Sequence, residues 1–278
     1  MTPMGTSLSA AHRAPSRFHL GSVGVFLPVG LLIAAWLILT PGGLLGKADA
    51  VGYAVCHRID LRSFHLGTRA LPLCARCSGM YLGAMAAFGG LLALGKSRHG
   101  GFPRPALMAI FGAFAAVWAV DGLNSYLTLI PGAPHAYEPN NVLRLATGLL
   151  MGLTLGTIVF AGLNQNAWRE WKREPVVSSF REVGLLVLLA AVVGGLVLTE
   201  NPLILYPLAL LSAAGVLVVL GLVYTVVALL VLRRENRIDS WAGLAVPIGL
   251  GVGLAVLQIG LLDLVRLTLT GTWAGFSL

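Results

Sequence analysis

Residues 203–232 read LILYPLALLSAAGVLVVLGLVYTVVALLVL, a run of 30 residues without a charged side chain. A helix needs about 20 apolar residues to cross the hydrocarbon core of a bilayer, and this run exceeds that length. Lipid offers no water to peptide groups, so a spanning segment must satisfy its own backbone; a helix does so and an open strand does not. Working outward, further apolar runs occupy residues 24–40, 78–95, 106–130, 142–163, 183–199 and 241–262. The expectation is an all-α, polytopic transmembrane helical bundle of about seven spans, the fifth of them short.

Composition agrees. The chain is 57% hydrophobic and 11% charged, with mean hydropathy +0.85, whereas about a quarter of residues are charged in soluble domains. Its 35 glycines suit helices that approach closely in lipid. The net charge of +8 raises the question of a nucleic-acid partner. The basic residues, however, gather at the ends of apolar runs, where they act as topology signals. No nucleic-acid partner is expected.

With a cytoplasmic N-terminus, the inner segments hold Arg13, Arg17, Lys96, Arg98, Arg104, Arg169, Lys172, Arg173, Arg181, Arg233, Arg234 and Arg237, and the outer loops near Glu138 and Glu200 hold no lysine or arginine. This places the protein in the cytoplasmic membrane as a multi-pass chain. Residues 1–22 read as a flexible basic tail and 23–278 as a single membrane domain. The first run also resembles a signal peptide, with Ala48-Asp49-Ala50 as a small-x-small pattern. An uncleaved helix is favoured, because that pattern lies far past the apolar core. One segment breaks the charge rule. Residues 41–77, read as an extracytoplasmic loop, carry Lys47, Arg58, Arg62, Arg69 and Arg76. An anionic ligand is the natural reason.

The same loop holds all three cysteines, in Cys56-His57-Arg58 and in Leu73-Cys74-Ala75-Arg76-Cys77-Ser78-Gly79. Three cysteines cannot all pair within one chain, which excludes a pure disulfide framework. Cys74-x-x-Cys77 spacing lets two thiolates grip one ion, Cys56 adds a third, and His57 or His65 is available as a fourth; otherwise that position stays open. Zinc is the expected metal. An open position would favour catalysis by polarising a substrate oxygen or activating water. The alternative is thiol–disulfide exchange, with Cys77 activated at a helix N-terminus and Arg76 beside it.

Asp121, Asn124, Tyr137, Glu138, Asn140, Asn141, Arg144, Glu200, Asn201, Asp263 and Arg266 all map to the cysteine half of the bundle. Ionisable groups in membrane segments usually face polar cavities. Asp121 with Arg144, and Asp263 with Arg266, are the expected pairs if these residues are structural. Gly79-x-x-x-Gly83 and Gly148-x-x-x-Gly152-x-x-x-Gly156 read as packing faces that bring Cys77 near Arg144. Trp168 and Trp171 fit an interfacial belt, and His99 and His135 read as solvated loop residues.

Cys56-His57-Arg58, Arg62-Ser63-Phe64 and the block from Leu71 to Gly83 together resemble an uncharacterised family of prokaryotic membrane proteins. Its signature is a Cys-His pair, an Arg-Ser, and Leu-Cys-Ala-Arg-Cys-x-Gly-x-Tyr-x-Gly. Asp121-Gly122 and Asn141…Arg144…Gly148 are similar to its later polar positions. The resemblance spans residues 50–156 and implies no activity. The residues themselves suggest a metal-dependent enzyme on an anionic or lipid-linked substrate, with Cys56, His57, Cys74 and Cys77 as ligands. Arg76 and Arg144 would hold the anion, and Asp121 would serve as base or orienting group. The alternatives are a thiol–disulfide oxidoreductase, and a transporter or assembly factor with a structural metal.

Overall fold

The computed structural model describes residues 18–276, with side chains from Ser22 onward. Most of the expected N-terminal tail lies outside the described residues. Among the described residues, eight α-helices account for the architecture: α1 (Phe18–Leu39), α2 (Gly43–Val55), α3 (Ala75–Ala93), α4 (Pro105–Leu127), α5 (Asn141–Ala167), α6 (Phe180–Leu198), α7 (Pro202–Val231) and α8 (Ala245–Thr270). Six regions are long and apolar enough to cross a membrane: α1, α4, α5, α6, α7 and the segment Trp241–Thr270 that includes α8. The protein is a polytopic helical membrane bundle.

The second expected run is α3, and it differs from the other six. It carries Arg76, Cys77 and Ser78 in its first turn, and 11 of its residues are buried. A helix enclosed by protein need not be apolar enough for lipid, which explains its milder composition. Its main partner is α5, and the two run parallel. A Cβ on Gly83 would lie 2.3 Å from the Leu149 carbonyl oxygen, and one on Gly152 would lie 2.1 Å from that of Met80. The two glycine stripes thus interleave backbone to backbone, as small residues permit. Helix α7 backs α3 at Gly215 against Tyr81, and α8 crosses α7 at Gly251 against Gly221. Helix α1 is outermost, with Phe26 and Val29 against Gly249 and Gly253. Its Leu27, Leu31, Ile38 and Leu39 are exposed, a surface that suits lipid and not water.

The stretch 41–77, expected as a loop, carries regular structure of its own. It contains α2, a 3₁₀ turn at Asp60–Arg62 and a hairpin pairing His65–Leu66 with Arg69–Ala70. Ala48-Asp49-Ala50 lies inside α2, with both alanines buried. At the opposite end, strand His99–Gly101 pairs in parallel with Lys172–Pro175. His99 is buried there, its Nε2 3.0 Å from Glu174, so it is not a solvated histidine. Trp168 is also buried. Its indole donates to Asn164 at 3.0 Å and it lies under Arg98, so it is a packing residue and not a belt residue.

Candidate metal centre

Three local features bring Cys56 and Cys74 together across 18 residues of sequence. Helix α2 ends by seating Gly52 on Pro72, where a Cβ would stand 1.9 Å from the proline carbonyl oxygen. The chain then turns sharply at Arg58, whose φ of 52° is left-handed. The 65–70 hairpin returns it, with Leu71 N–H donating to Phe64 O at 2.9 Å. Cys74 emerges as the N-cap of α3, one turn before Cys77.

The three sulfurs lie within 4.8 Å of one another. Cys56 Sγ accepts backbone N–H bonds from Cys74 at 3.4 Å and Arg58 at 3.5 Å. Such donors stabilise thiolate charge. Cys56 and Cys74 are buried and Cys77 is partly exposed. The neighbouring Cys74 and Cys77 thiols hold the Cys56 pKa well below the ordinary thiol range. Cys74 is correspondingly pushed up to about 12, chiefly by its hydrogen bond to Cys56. A soft cation bound by the three sulfurs would displace their thiol protons. The donor set fits zinc.

Among the described residues no histidine or carboxylate joins this group. His57 Nδ1 instead accepts from Ile59 N–H at 2.9 Å, and His65 Nε2 lies 3.0 Å from Asp60. Burial lowers the His57 pKa, and the charges of Arg62, Arg76 and Arg144 lower it further while Cys56 opposes them.

Asp121 pairs with Arg76 and not with Arg144. Its Oδ2 receives Arg76 Nη2 at short range, Arg76 Nε at 3.1 Å and Thr147 Oγ1 at 3.2 Å, and Oδ1 receives the Tyr137 hydroxyl at 2.9 Å. The reason lies in register: parallel packing sets Arg76 against Gly148, one turn beyond Arg144 on α5. The second expected pair is also absent. Asp263 accepts from the Trp36 indole at 3.1 Å. Arg266 is stacked on Tyr53 and Phe276 and donates to the carbonyls of Cys56 at 2.7 Å and His57 at 3.4 Å, holding the first cysteine loop from α8.

Apart from Arg76, the basic residues at the cysteine end divide into those with an acidic or carbonyl partner nearby and those buried without a counter-charge. Asp49 takes Arg58 at 2.8 Å and Arg69, and Lys47 donates to carbonyls at the end of α1. Arg62 and Arg144 are buried and have only neutral partners. Sequence reasoning missed Asp49, counted Arg62 only as one of five cations in the 41–77 segment, and named Arg266 only as a partner for Asp263. Arg62-Ser63 also had a place in the signature. Beside the centre, a cavity of about 460 Å³ between α2 and α8 is walled mostly by apolar side chains, with Cys56, His57 and Arg266 on its lining.

These features define a class: a multi-pass helical membrane protein with a three-cysteine cluster at one end of the bundle. The chain belongs to the family described as predicted membrane protein (DUF2085), whose model matches residues 56–158. An uncharacterised protein from Methanothermobacter thermautotrophicus is 30% identical over 104 residues, covering 37% of this chain and 83% of the relative. No solved structure matches. The matched segment begins at Cys56 and ends within α5, so it takes in all three cysteines with Arg62, Arg76, Asp121 and Arg144.

Proposed function

We propose that Cys56, Cys74 and Cys77 hold a zinc ion, and that the centre is part of a membrane enzyme acting on an anionic or lipid-linked substrate at the extracytoplasmic face of the cytoplasmic membrane. The observation that carries this reading is the convergence of three sulfurs within 4.8 Å, two backbone N–H groups pointing at one of them. Thiolates prefer zinc among common cations, and three protein ligands are the pattern of catalytic sites. When bound, zinc supplies Lewis acidity. The chain's own residues supply the remainder. Asp121 and Tyr137 fix the orientation of Arg76, which adjoins ligand Cys77. His57 keeps an accepting Nδ1, so its ring proton sits on Nε2, where it is suited to hydrogen-bond a substrate and not to ligate the metal.

The test is elemental analysis of detergent-purified protein with a thiol count on the same sample. One zinc per chain, lost in Cys74→Ser, supports the reading. A thiol–disulfide role is the second reading, favoured by the two backbone N–H groups that point at Cys56 Sγ. It takes over if the wild-type protein holds no metal and a reducible bond consumes two thiols. A structural metal in a transporter or assembly factor is the outcome if Arg144→Gln keeps both metal and cellular complementation.

A further inference from the structure

Arg62 and Arg144 are each more than nine-tenths buried. Arg62 Nη2 donates to Ser125 O at 3.0 Å and to Thr128 Oγ1 at 3.3 Å. Arg144 Nη1 donates to Asn141 Oδ1 at 2.9 Å, and its Nε is buried without a partner. Among the described residues, no carboxylate pairs with either one. The nearby carboxylate, Asp121, is occupied by Arg76, Tyr137 and Thr147. A buried charge without a counter-charge is strongly destabilising, and more so in a membrane bundle.

The two guanidiniums are brought together by Asn141. Its side-chain amide donates to Ser63 O at 3.2 Å and Leu61 O at 3.3 Å, which docks the first turn of α5 on the turn that carries Arg62. Asn140 caps α5 by accepting from Leu143 N–H at 2.8 Å. The positive end of that 27-residue helix therefore points into the same region.

We propose that Arg62 and Arg144 bind a phosphate-class oxyanion between the first turn of α5 and the turn at residues 60–62, beside the three-cysteine centre. This rests on the reading of the centre as a place where an anionic substrate is handled, and it names that substrate's class. A carboxylate offers one charge and two oxygens. Two surplus guanidinium forks match a dianion with three peripheral oxygens, the geometry in which arginine binds phosphate best. The group is either free phosphate or the head of a lipid phosphate.

The experiment uses the full chain in phosphatidylcholine nanodiscs. Inorganic phosphate is titrated by calorimetry, and a parallel preparation contains phosphatidic acid and is read by thermal midpoint. The wild type binds at least one probe, and acetate does not compete. Arg62→Gln and Arg144→Gln each weaken that binding on the order of 30-fold or more while metal content stays unchanged. Binding of phosphate identifies a soluble anion; a response to phosphatidate alone identifies a lipid head. Should a glutamine variant fail to fold, Arg62→Lys and Arg144→Lys keep the charge, lose the fork and bind more weakly than wild type. The proposal is overturned if neither probe binds the wild type, or if the variants bind as the wild type does. Metal-free protein that binds phosphate refutes the metal reading alone; metal-replete protein that binds neither probe refutes this inference alone.

Discussion

Asp121 and Arg76 are bonded through two guanidinium nitrogens, with Asp121 almost wholly buried. Removing one partner strands the other in a low-dielectric setting. Asp121→Asn or Arg76→Gln should therefore cost on the order of 3–5 kcal/mol and lower the yield of folded protein. The double replacement Asp121→Leu with Arg76→Met should recover much of the loss, read by thermal unfolding in detergent. Arg144→Gln strands no charged partner, only the Asn141 amide oxygen, and should leave stability near the wild type. At the sulfurs the relevant variable is pH. Cys74 is held up to about 12 without metal, so binding a cation must expel its proton. Apparent zinc affinity should rise with pH across the neutral range, by about tenfold per unit for each proton displaced, and fall on acidification. A competition titration with a chromogenic chelator from pH 6 to about 8 checks this. A pH-independent affinity would mean that the thiols are not the ligands.

Between elements, the α3–α5 contact decides whether the polar residues meet at all. Cβ atoms at Gly83 or Gly152 would collide with backbone carbonyls that have no flexible end to yield. Gly83→Ala and Gly152→Ala should each destabilise by about 1–3 kcal/mol and lower metal content, because Cys77 and Arg76 ride on the displaced helix. Gly162, on the same helix α5, has nothing within 4 Å of an added Cβ. Gly162→Ala is the matched control and should be neutral. Equal effects at all three positions would contradict the interleaved packing. Gly52 plays the corresponding part for Cys56, since it seats α2 on Pro72.

Across the whole molecule, the cysteine cluster, the arginines and Asp121 occupy one end, and the Lys96–Glu182 pair and the 99–101 strand occupy the other. The positive-inside tendency assigns the second end to the cytoplasm. The native thiols are largely buried, so engineered surface cysteines are the better reporters. An impermeant maleimide should label Glu138→Cys in intact cells and Arg234→Cys only after lysis; both positions are exposed. The reverse pattern would move the whole site to the cytoplasmic face. The chain after α8 also returns to this end. Phe276 N–H donates to His57 O at 3.1 Å, and Tyr53 donates to Thr272 O at 2.7 Å.

What the sequence determined by itself was the class of fold and the nearness of the three cysteines. Apolar runs longer than a bilayer is thick leave helices as the workable solution, and cysteines sharing one short segment have little freedom to end up far apart. The helical character of α3 was legible for the same reason, although its enclosure was not, because burial by other helices leaves no trace in the helix's own composition. Which charge meets which was decided only in three dimensions. Asp121 and Arg144 sit at similar depth on successive spans, so sequence spacing pairs them. The parallel register of α3 on α5 hands Asp121 to Arg76 instead and leaves Arg144 with the neutral Asn141 side chain. His57 illustrates the same limit. Adjacency to Cys56 made it a natural ligand, yet the left-handed turn at Arg58 aims its Nδ1 at the Ile59 amide. Chain periodicity reports which residues share a helix face, but side-chain partners depend on how faces from distant segments are registered, and the backbone contacts made by glycine set that register here.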